Sequence, residues 1–160
     1  YHNKDEAKIC VRIVRDLVLL LKPNKRSQQA HISIVMIAMY SGQVGLLSQL
    51  CRQDMTLANH IVHHHHHHRC PYLRRHRHVS IVVSSVDSFQ GSEADVVVLS
   101  TVRSNPKNSV GFVSDGRRLN VAITRAKQAL VVCAHKDTLL RSRRPHLMEL
   151  VNEADKRSVI

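Results

Sequence analysis

Two short segments of this sequence carry residue types that bind phosphate groups. Gln90-Gly91 follows an apolar run and stands before Glu93, and a glycine lets a turn bring its backbone close to a phosphate because it has no Cβ atom. Arg125 closes the second segment, and a guanidinium donates two parallel hydrogen bonds to a phosphate and stays protonated. Taken alone, Gln90-Gly91 also fits an ordinary turn and Arg125 a solvated surface charge. The residue types therefore allow two interpretations, phosphate contact or an ordinary turn with an exposed arginine.

Several other chemistries are disfavoured by what the sequence lacks. It has no G-x-x-x-x-G-K-[ST] segment, and therefore no Walker A phosphate loop. No G-x-G-x-x-G follows an apolar run, which argues against an unrelated dinucleotide-binding enzyme. The four cysteines include no C-x-x-C pair, so reduced thiols in a cytoplasmic or nuclear protein fit better than a secreted disulfide scaffold.

The composition predicts one basic globular domain. The 160 residues include 24 Lys and Arg against 12 Asp and Glu, a net charge of +12, so a polyanion such as nucleic acid is the expected partner. Aromatic residues make up 3% of the chain, so phosphate contacts rather than base stacking should dominate that binding. No apolar run approaches the ~18 residues that cross a bilayer, so we expect no membrane partner. Because the chain starts without methionine, we expect it to be a piece of a longer protein.

Hydrophobic periodicity predicts alternating helices and buried strands. Apolar, β-branched strands between helices indicate an α/β domain with a mostly parallel sheet covered by helices on both faces. Ligand loops of such sheets lie at the carboxyl ends of the strands, here 40–43, 84–93 and 103–118. A helix near 137 is expected to be capped by Asp137. Asn3 and Glu6 have the spacing of a capping box. The predicted strands are 31–39, 79–84, 95–102 and 129–134, and the other predicted helices are 4–22, 43–52, 117–127 and 145–154.

The stretch 53–78 departs from this pattern. It has weak periodicity, six histidines at 63–68 and several arginines, and we predict a mobile, inserted surface loop. Structural zinc sites use spaced ligands, and Cys51, His60 and Cys70 do not have that spacing. We therefore predict no metal site, although the loop could form a basic flap over nucleic acid.

Three segments in order resemble motifs of the superfamily 1 helicases. Residues 86–95 (VDSFQGSEAD) with the following VVVLSTVRSN resemble motif V, and 117–127 (RRLNVAITRAK) resembles motif VI. The turn 39–43 (MYSGQ) is similar to motif IV, with Met39 where a proline is frequent, and Gly111-Phe112 stands where the family has a similar pair. The residues RSN and RRLNVAITRAK within motifs V and VI favour the branch that contains the nonsense-mediated-decay helicase and senataxin. The resemblance covers nearly the whole chain apart from the insert.

The resemblance implies a RecA-like three-layer fold and the second of two motor domains. In this family ATP with Mg²⁺ lies between the domains, and the first domain supplies the Walker A lysine and the Mg²⁺-holding acid. That first RecA-like domain is not in this sequence, and it is the expected partner within a longer parent chain. The 160 residues would then form a single second domain, inactive as an ATPase by itself.

The resemblance also assigns roles to individual residues. Arg125 would be the arginine finger on the γ-phosphate. Gln90 and Gly91 would approach phosphate, and Glu93 would accept a hydrogen bond from the ribose. The nucleic-acid contacts would come from Ser85, Val86, Asp87 and Tyr40, with Asp87 linking them to the ATP side. The ring of Tyr40, however, is more typical of half-buried packing than of base stacking.

The favoured function is therefore the second motor domain of an ATP-dependent helicase, in the cytoplasm or nucleus. The nucleic acid on which it acts is RNA or DNA, since the implied branch contains enzymes that act on each. The alternative is a nucleic-acid-binding scaffold derived from a helicase that has lost hydrolysis, which the net charge of +12 would also suit.

Overall fold

A four-stranded parallel sheet with helices on both faces forms the domain. The computed structural model describes residues 1–21, 31–62, 78–104 and 109–157. The strand order is β2-β1-β3-β4, and every pairing is parallel. The strands are β1 Ile32–Ala38, β2 Val79–Ser85, β3 Ala94–Ser100 and β4 Ala126–Cys133. The helices are α1 Lys4–Leu20, α2 Ser41–Gln53, α3 Gly116–Ile123, α4 Lys136–Arg141 and α5 Pro145–Arg157, with short 3₁₀ turns at Ala58–His60 and Gly111–Ser114.

The central strands are apolar throughout because each of their faces is covered. Alternate side chains of β1 point to opposite faces. Ile34 and Met36 pack with α1 and α2, whereas Val35 and Ile37 pack with α3, α4 and α5. The predicted α/β class with a parallel sheet covered on both faces is confirmed.

The beginning of α1 corrects the predicted capping box. Asn3 caps the helix as expected, since its side chain accepts a hydrogen bond from the Glu6 amide at 3.1 Å. The Glu6 carboxylate does not return to Asn3. It turns inward and accepts hydrogen bonds from the Ser100 hydroxyl and the Val102 amide, both at 2.7 Å. The backbone amide of Asn3 instead donates to Gln43 at 2.8 Å. This buried polar network joins α1 to the end of β3.

Three predictions about the ends of elements are wrong. The predicted helix 117–127 ends at Ile123, and the chain enters β4 at Ala126, which pairs with Ala94. The strand predicted over 95–102 stops at Ser100, and Val102 adopts a φ of 71° that leaves the sheet. The cap of α4 is His135, whose ring accepts from the Thr138 amide at 3.2 Å, and not Asp137.

The predicted insert does not begin at residue 53. Gln53 is the last residue of α2, and Leu57 is fully buried. The amide of Val62 donates to the Ile81 carbonyl at 2.8 Å, which joins this segment to the β2 edge of the sheet. Residues 63–77, with the histidine run, lie outside the described residues. In the described part of the chain no helix is long and apolar enough to span a membrane.

A pH dependence follows from the burial of Glu6. Desolvation raises its pKa above the ordinary 4.5 and outweighs the hydrogen bonds from Val102 and Ser100. The folded state therefore holds this proton more firmly than the unfolded state does. The resulting stabilisation is complete below pH 4.5 and is lost as the pH rises through the raised pKa.

We expect Glu6→Gln to remove this pH-dependent loss of stability. The glutamine carbonyl can still accept from Ser100 and Val102, while no buried charge has to form. Urea unfolding of wild type and variant across this pH range tests it, with the exposed Glu149→Gln as control for the loss of one negative charge. If the free energy of unfolding of Glu6→Gln depends on pH as that of the wild type does, Glu6 is not the cause of the pH-dependent loss of stability.

Candidate functional site

The loop 86–93 runs from the carboxyl ends of the strands, called the carboxyl edge, to their amino ends, called the amino edge. It leaves β2 at Ser85, on the carboxyl edge, and enters β3 at Ala94, on the amino edge, because the two strands run in the same direction. Its first residues therefore lie beside the carboxyl ends of β1 and β3. Its last residues lie where β4 begins. The predicted site residues are divided between these two edges.

A tight turn shapes the carboxyl end of the loop. The Ser85 hydroxyl donates to that of Ser88 at 2.8 Å and accepts from the Ser88 amide at 3.1 Å. Val86 and Phe89 are buried and anchor the turn in the core. Asp87 points outward, with 67% of its side chain exposed, and pairs with Arg118 of α3 at 3.3 Å. Since the Val86 side chain is buried, only its backbone is available to a ligand.

Tyr40 packs inside the carboxyl edge. Only 7% of the residue is exposed, and its hydroxyl accepts a hydrogen bond from the Phe112 amide at 3.0 Å. Its ring lies 5.4 Å from that of Tyr1 and 5.2 Å from that of Phe112, measured between centroids. The ring is thus enclosed, as its expected packing role requires. A base-stacking role does not fit this placement, and direct contact of Tyr40 with nucleic acid stays a prediction.

Gly111 occupies a crowded position in a conformation that favours glycine. Its φ is +53°, and a Cβ atom there would overlap the Tyr40 hydroxyl and stand 3.2 Å from the Arg103 Nε. Arg103 is itself held by Ser109, through its carbonyl at 3.0 Å and its hydroxyl at 2.9 Å. The guanidinium carbon of Arg103 lies 4.7 Å from the ring centroid of Tyr1. The carboxyl edge is therefore a closely packed cluster of aromatic and arginine side chains.

Arg125 lies at the amino edge, beside the other end of the loop. Its Nε donates to the Val121 carbonyl at 3.0 Å and its Nη1 to the Ser92 carbonyl at 3.4 Å. Its own carbonyl accepts from the Ala94 amide at 3.0 Å. Arg125 is thus not on a helix, as its sequence context suggested, but in the turn between α3 and β4. A guanidinium has five N–H donors, so these two contacts orient it and leave donors for a ligand.

The residues just before β3 reach this guanidinium through the Ser92 carbonyl. Gly91 has a φ of +81°, and a Cβ atom added to it would have nothing within 4 Å. Here the backbone conformation requires glycine, while the neighbouring space is open. Glu93 pairs with Lys127 at 3.5 Å, and both side chains are about half exposed. The structure therefore brings Arg125 into contact with Ser92 of this segment, and the binding roles of Gln90, Gly91 and Glu93 stay predictions.

Two features of the site were missed by sequence reasoning. The expectation that ligand loops cluster at carboxyl ends holds for Ser85, Val86 and Asp87 but not for Arg125. The pairing of Arg118 with Asp87 is the second feature. The sequence left Arg117 and Arg118 either as partners of acidic or phosphate groups or as exposed charges, and no signal in it chose Arg118. Among the described residues no group of three His, Cys, Asp or Glu side chains could hold a metal ion.

Comparison with known proteins identifies the family. A family model described as an AAA domain matches residues 1–137. The regulator of nonsense transcripts 1 of Dictyostelium discoideum is 32% identical over 99% of this chain, which covers 10% of that protein. The chain belongs to the superfamily 1 helicases, in the nonsense-mediated-decay branch.

Two further relatives of this helicase domain come from Saccharomyces cerevisiae. The ATP-dependent helicase NAM7 is 32% identical over 88% of the chain, which spans 12% of that protein. The DNA polymerase alpha-associated DNA helicase A is 38% identical over 68% of the chain and is covered over 13%. The helicase domain thus spans about a tenth of the length of these relatives.

Proposed function

We propose that this helicase domain is the second motor domain of an ATP-dependent superfamily 1 enzyme. In this role it contributes an arginine finger and part of the nucleic-acid grip. The observation that supports this proposal most directly is the hydrogen bond from the Arg125 Nη1 to the Ser92 carbonyl at 3.4 Å. It joins motif VI to the turn of motif V. The relatives named as ATP-dependent helicases support the same reading.

The ATP side of the proposal rests on the amino edge. Arg125 would donate to the γ-phosphate, where charge develops during transfer. The open space at Gly91 allows the phosphates to approach the backbone of Gln90 and Gly91. Glu93, which now pairs with Lys127, would accept from the ribose. Bound Mg²⁺ would neutralise phosphate charge. The first RecA-like domain of the parent would hold the Mg²⁺ ion and would also supply the Walker A lysine.

The nucleic-acid side rests on the carboxyl edge. The Ser85 hydroxyl and the backbone at Val86 and Asp87 would contact phosphates, while the net charge of +12 adds long-range attraction. Asp87 would repel a phosphate if it stood alone, and its pair with Arg118 offsets that charge. Such contacts suit RNA and DNA alike, and relatives are named as helicases for each. A cytoplasmic or nuclear location fits both substrates.

The experiment is a phosphate-release assay on the full-length parent protein with single-stranded RNA, single-stranded DNA or neither. We expect ATP hydrolysis that depends on one of the two. The alternative is a nucleic-acid scaffold without hydrolysis, which the basic composition also favours. Tight nucleic-acid binding by the parent, without any stimulated hydrolysis, would support the scaffold and contradict the motor.

A further inference from the structure

The loop 86–93 contacts helix α3 near one end and the turn that follows α3 near the other. At the carboxyl edge Arg118 pairs with Asp87 at 3.3 Å. At the amino edge the Arg125 guanidinium donates to the Ser92 carbonyl at 3.4 Å. We propose that Arg118 is a positioning residue that couples nucleic-acid binding at the loop to the placement of Arg125. The proposal rests on the function proposed above and adds the element that transmits the signal.

Helix α3 is suited to transmit a displacement between the two edges. Leu119 and Ala122 are buried at 3% and 0% exposure and fix one side of the helix in the core. Arg118 lies in the first turn of α3, which ends at Ile123, and Arg125 lies in the turn that follows the helix. The Nε of Arg125 returns to the Val121 carbonyl in the last turn, at 3.0 Å, so the guanidinium is oriented by the helix itself. A shift of α3 therefore changes where Arg125 points.

Arg118 is held in one position by an aromatic contact. Its guanidinium carbon lies 5.1 Å from the ring centroid of Phe112. The Phe112 amide donates to the hydroxyl of the buried Tyr40. Arg118 thus contacts both Asp87 and the 3₁₀ turn that Tyr40 supports. A movement of the loop at Asp87 would then act on α3.

The ion pair is suited to signalling rather than to stability. The side chains of Arg118 and Asp87 are 38% and 67% exposed, and exposed pairs contribute little to folding. A nucleic-acid phosphate at Ser85 would place a second negative group beside Arg118, whose guanidinium has five N–H donors and can bind the phosphate and Asp87 together. Arg118 would thereby join the nucleic acid and the loop to α3 and fix Arg125 for hydrolysis.

The test uses the full-length parent protein and measures the ratio of nucleic-acid-stimulated to basal hydrolysis at saturating nucleic acid. Coupling free energies usually correspond to about 5- to 150-fold effects, so we expect Arg118→Ala to lower this ratio at least about fivefold. The matched control is Arg117→Ala, which removes the exposed neighbouring arginine and should keep the ratio within about twofold. The double exchange of Asp87→Arg with Arg118→Asp should recover a higher ratio than either single exchange.

Hydrogen exchange supplies a second readout that does not need hydrolysis. Nucleic acid should slow exchange of the α3 amides in the wild type and not in Arg118→Ala, with melting temperatures measured in parallel. Wild-type stimulation that survives in Arg118→Ala, with equal protection of α3, would overturn the coupling and leave the motor function standing. A wild-type parent without any stimulation would overturn the motor function and, with it, the coupling.

Discussion

We expect Arg125→Ala to lower ATP hydrolysis by the parent protein by about 10³- to 10⁵-fold, the range that arginine fingers contribute in related chemistry. The reason is electrostatic, since the guanidinium would neutralise charge that grows on the γ-phosphate during transfer. Phosphate release at saturating ATP and nucleic acid measures the effect. Nucleic-acid affinity should change little, because Arg125 lies at the edge of the sheet opposite Ser85 and Asp87.

Two controls separate this chemical role from a structural one. Arg125 also holds the Val121 and Ser92 carbonyls, so its loss should cost about 1–2 kcal/mol of unfolding free energy, which circular dichroism can follow. Arg125→Lys keeps the charge but not the planar fork, and it should remain strongly impaired. Hydrolysis that stays near the wild-type rate in Arg125→Ala, in a folded protein, would refute the finger.

We expect Gly111→Ala to destabilise the chain by about 2–5 kcal/mol. Two costs add, because overpacking in a filled site costs about 1–3 kcal/mol and a left-handed backbone costs a non-glycine residue about 1–2 kcal/mol. The clash is with the Tyr40 hydroxyl, and φ is +53°. Urea unfolding of the chain measures the loss.

The structure provides a matched glycine and a rescue variant for this prediction. Gly45 lies in α2, where an added Cβ atom would have nothing within 4 Å, so Gly45→Ala should stabilise the chain by about 0.5–1 kcal/mol. Tyr40→Phe removes the clashing hydroxyl, and in that background Gly111→Ala should cost less, with an interaction energy of about 0.5–3 kcal/mol. Equal costs in both backgrounds would show that the hydroxyl is not the obstacle.

The sheet and the motif segments could be predicted from sequence because their signals are local. Buried parallel strands are continuous apolar runs, and 31–39 and 79–84 match β1 and β2 within one residue at each end. The end of α3 could not be predicted this way. Ala126 and Lys127 suit a helix, yet the pairing of Ala126 with Ala94 places them in β4. A long-range contact overrode a local preference there.

The motif resemblance singled out Gly91, Glu93 and Arg125, and their binding roles stay predictions. The structure adds that Arg125 contacts the Ser92 carbonyl, between Gly91 and Glu93 in the chain. Local sequence could not show that Glu6 turns inward to Val102, since a capping box and a buried network need the same residue types. Nor could it choose between Arg117 and Arg118 as the partner of Asp87, because adjacent helical residues face different directions.

The claim that this chain is one half of a motor is tested most directly by phosphate release from the isolated chain and from the parent protein, measured side by side with ATP, Mg²⁺ and single-stranded nucleic acid. We expect release by the parent alone, since the isolated chain has no Walker A lysine. Hydrolysis by the isolated chain at a rate comparable with that of the parent would contradict the claim.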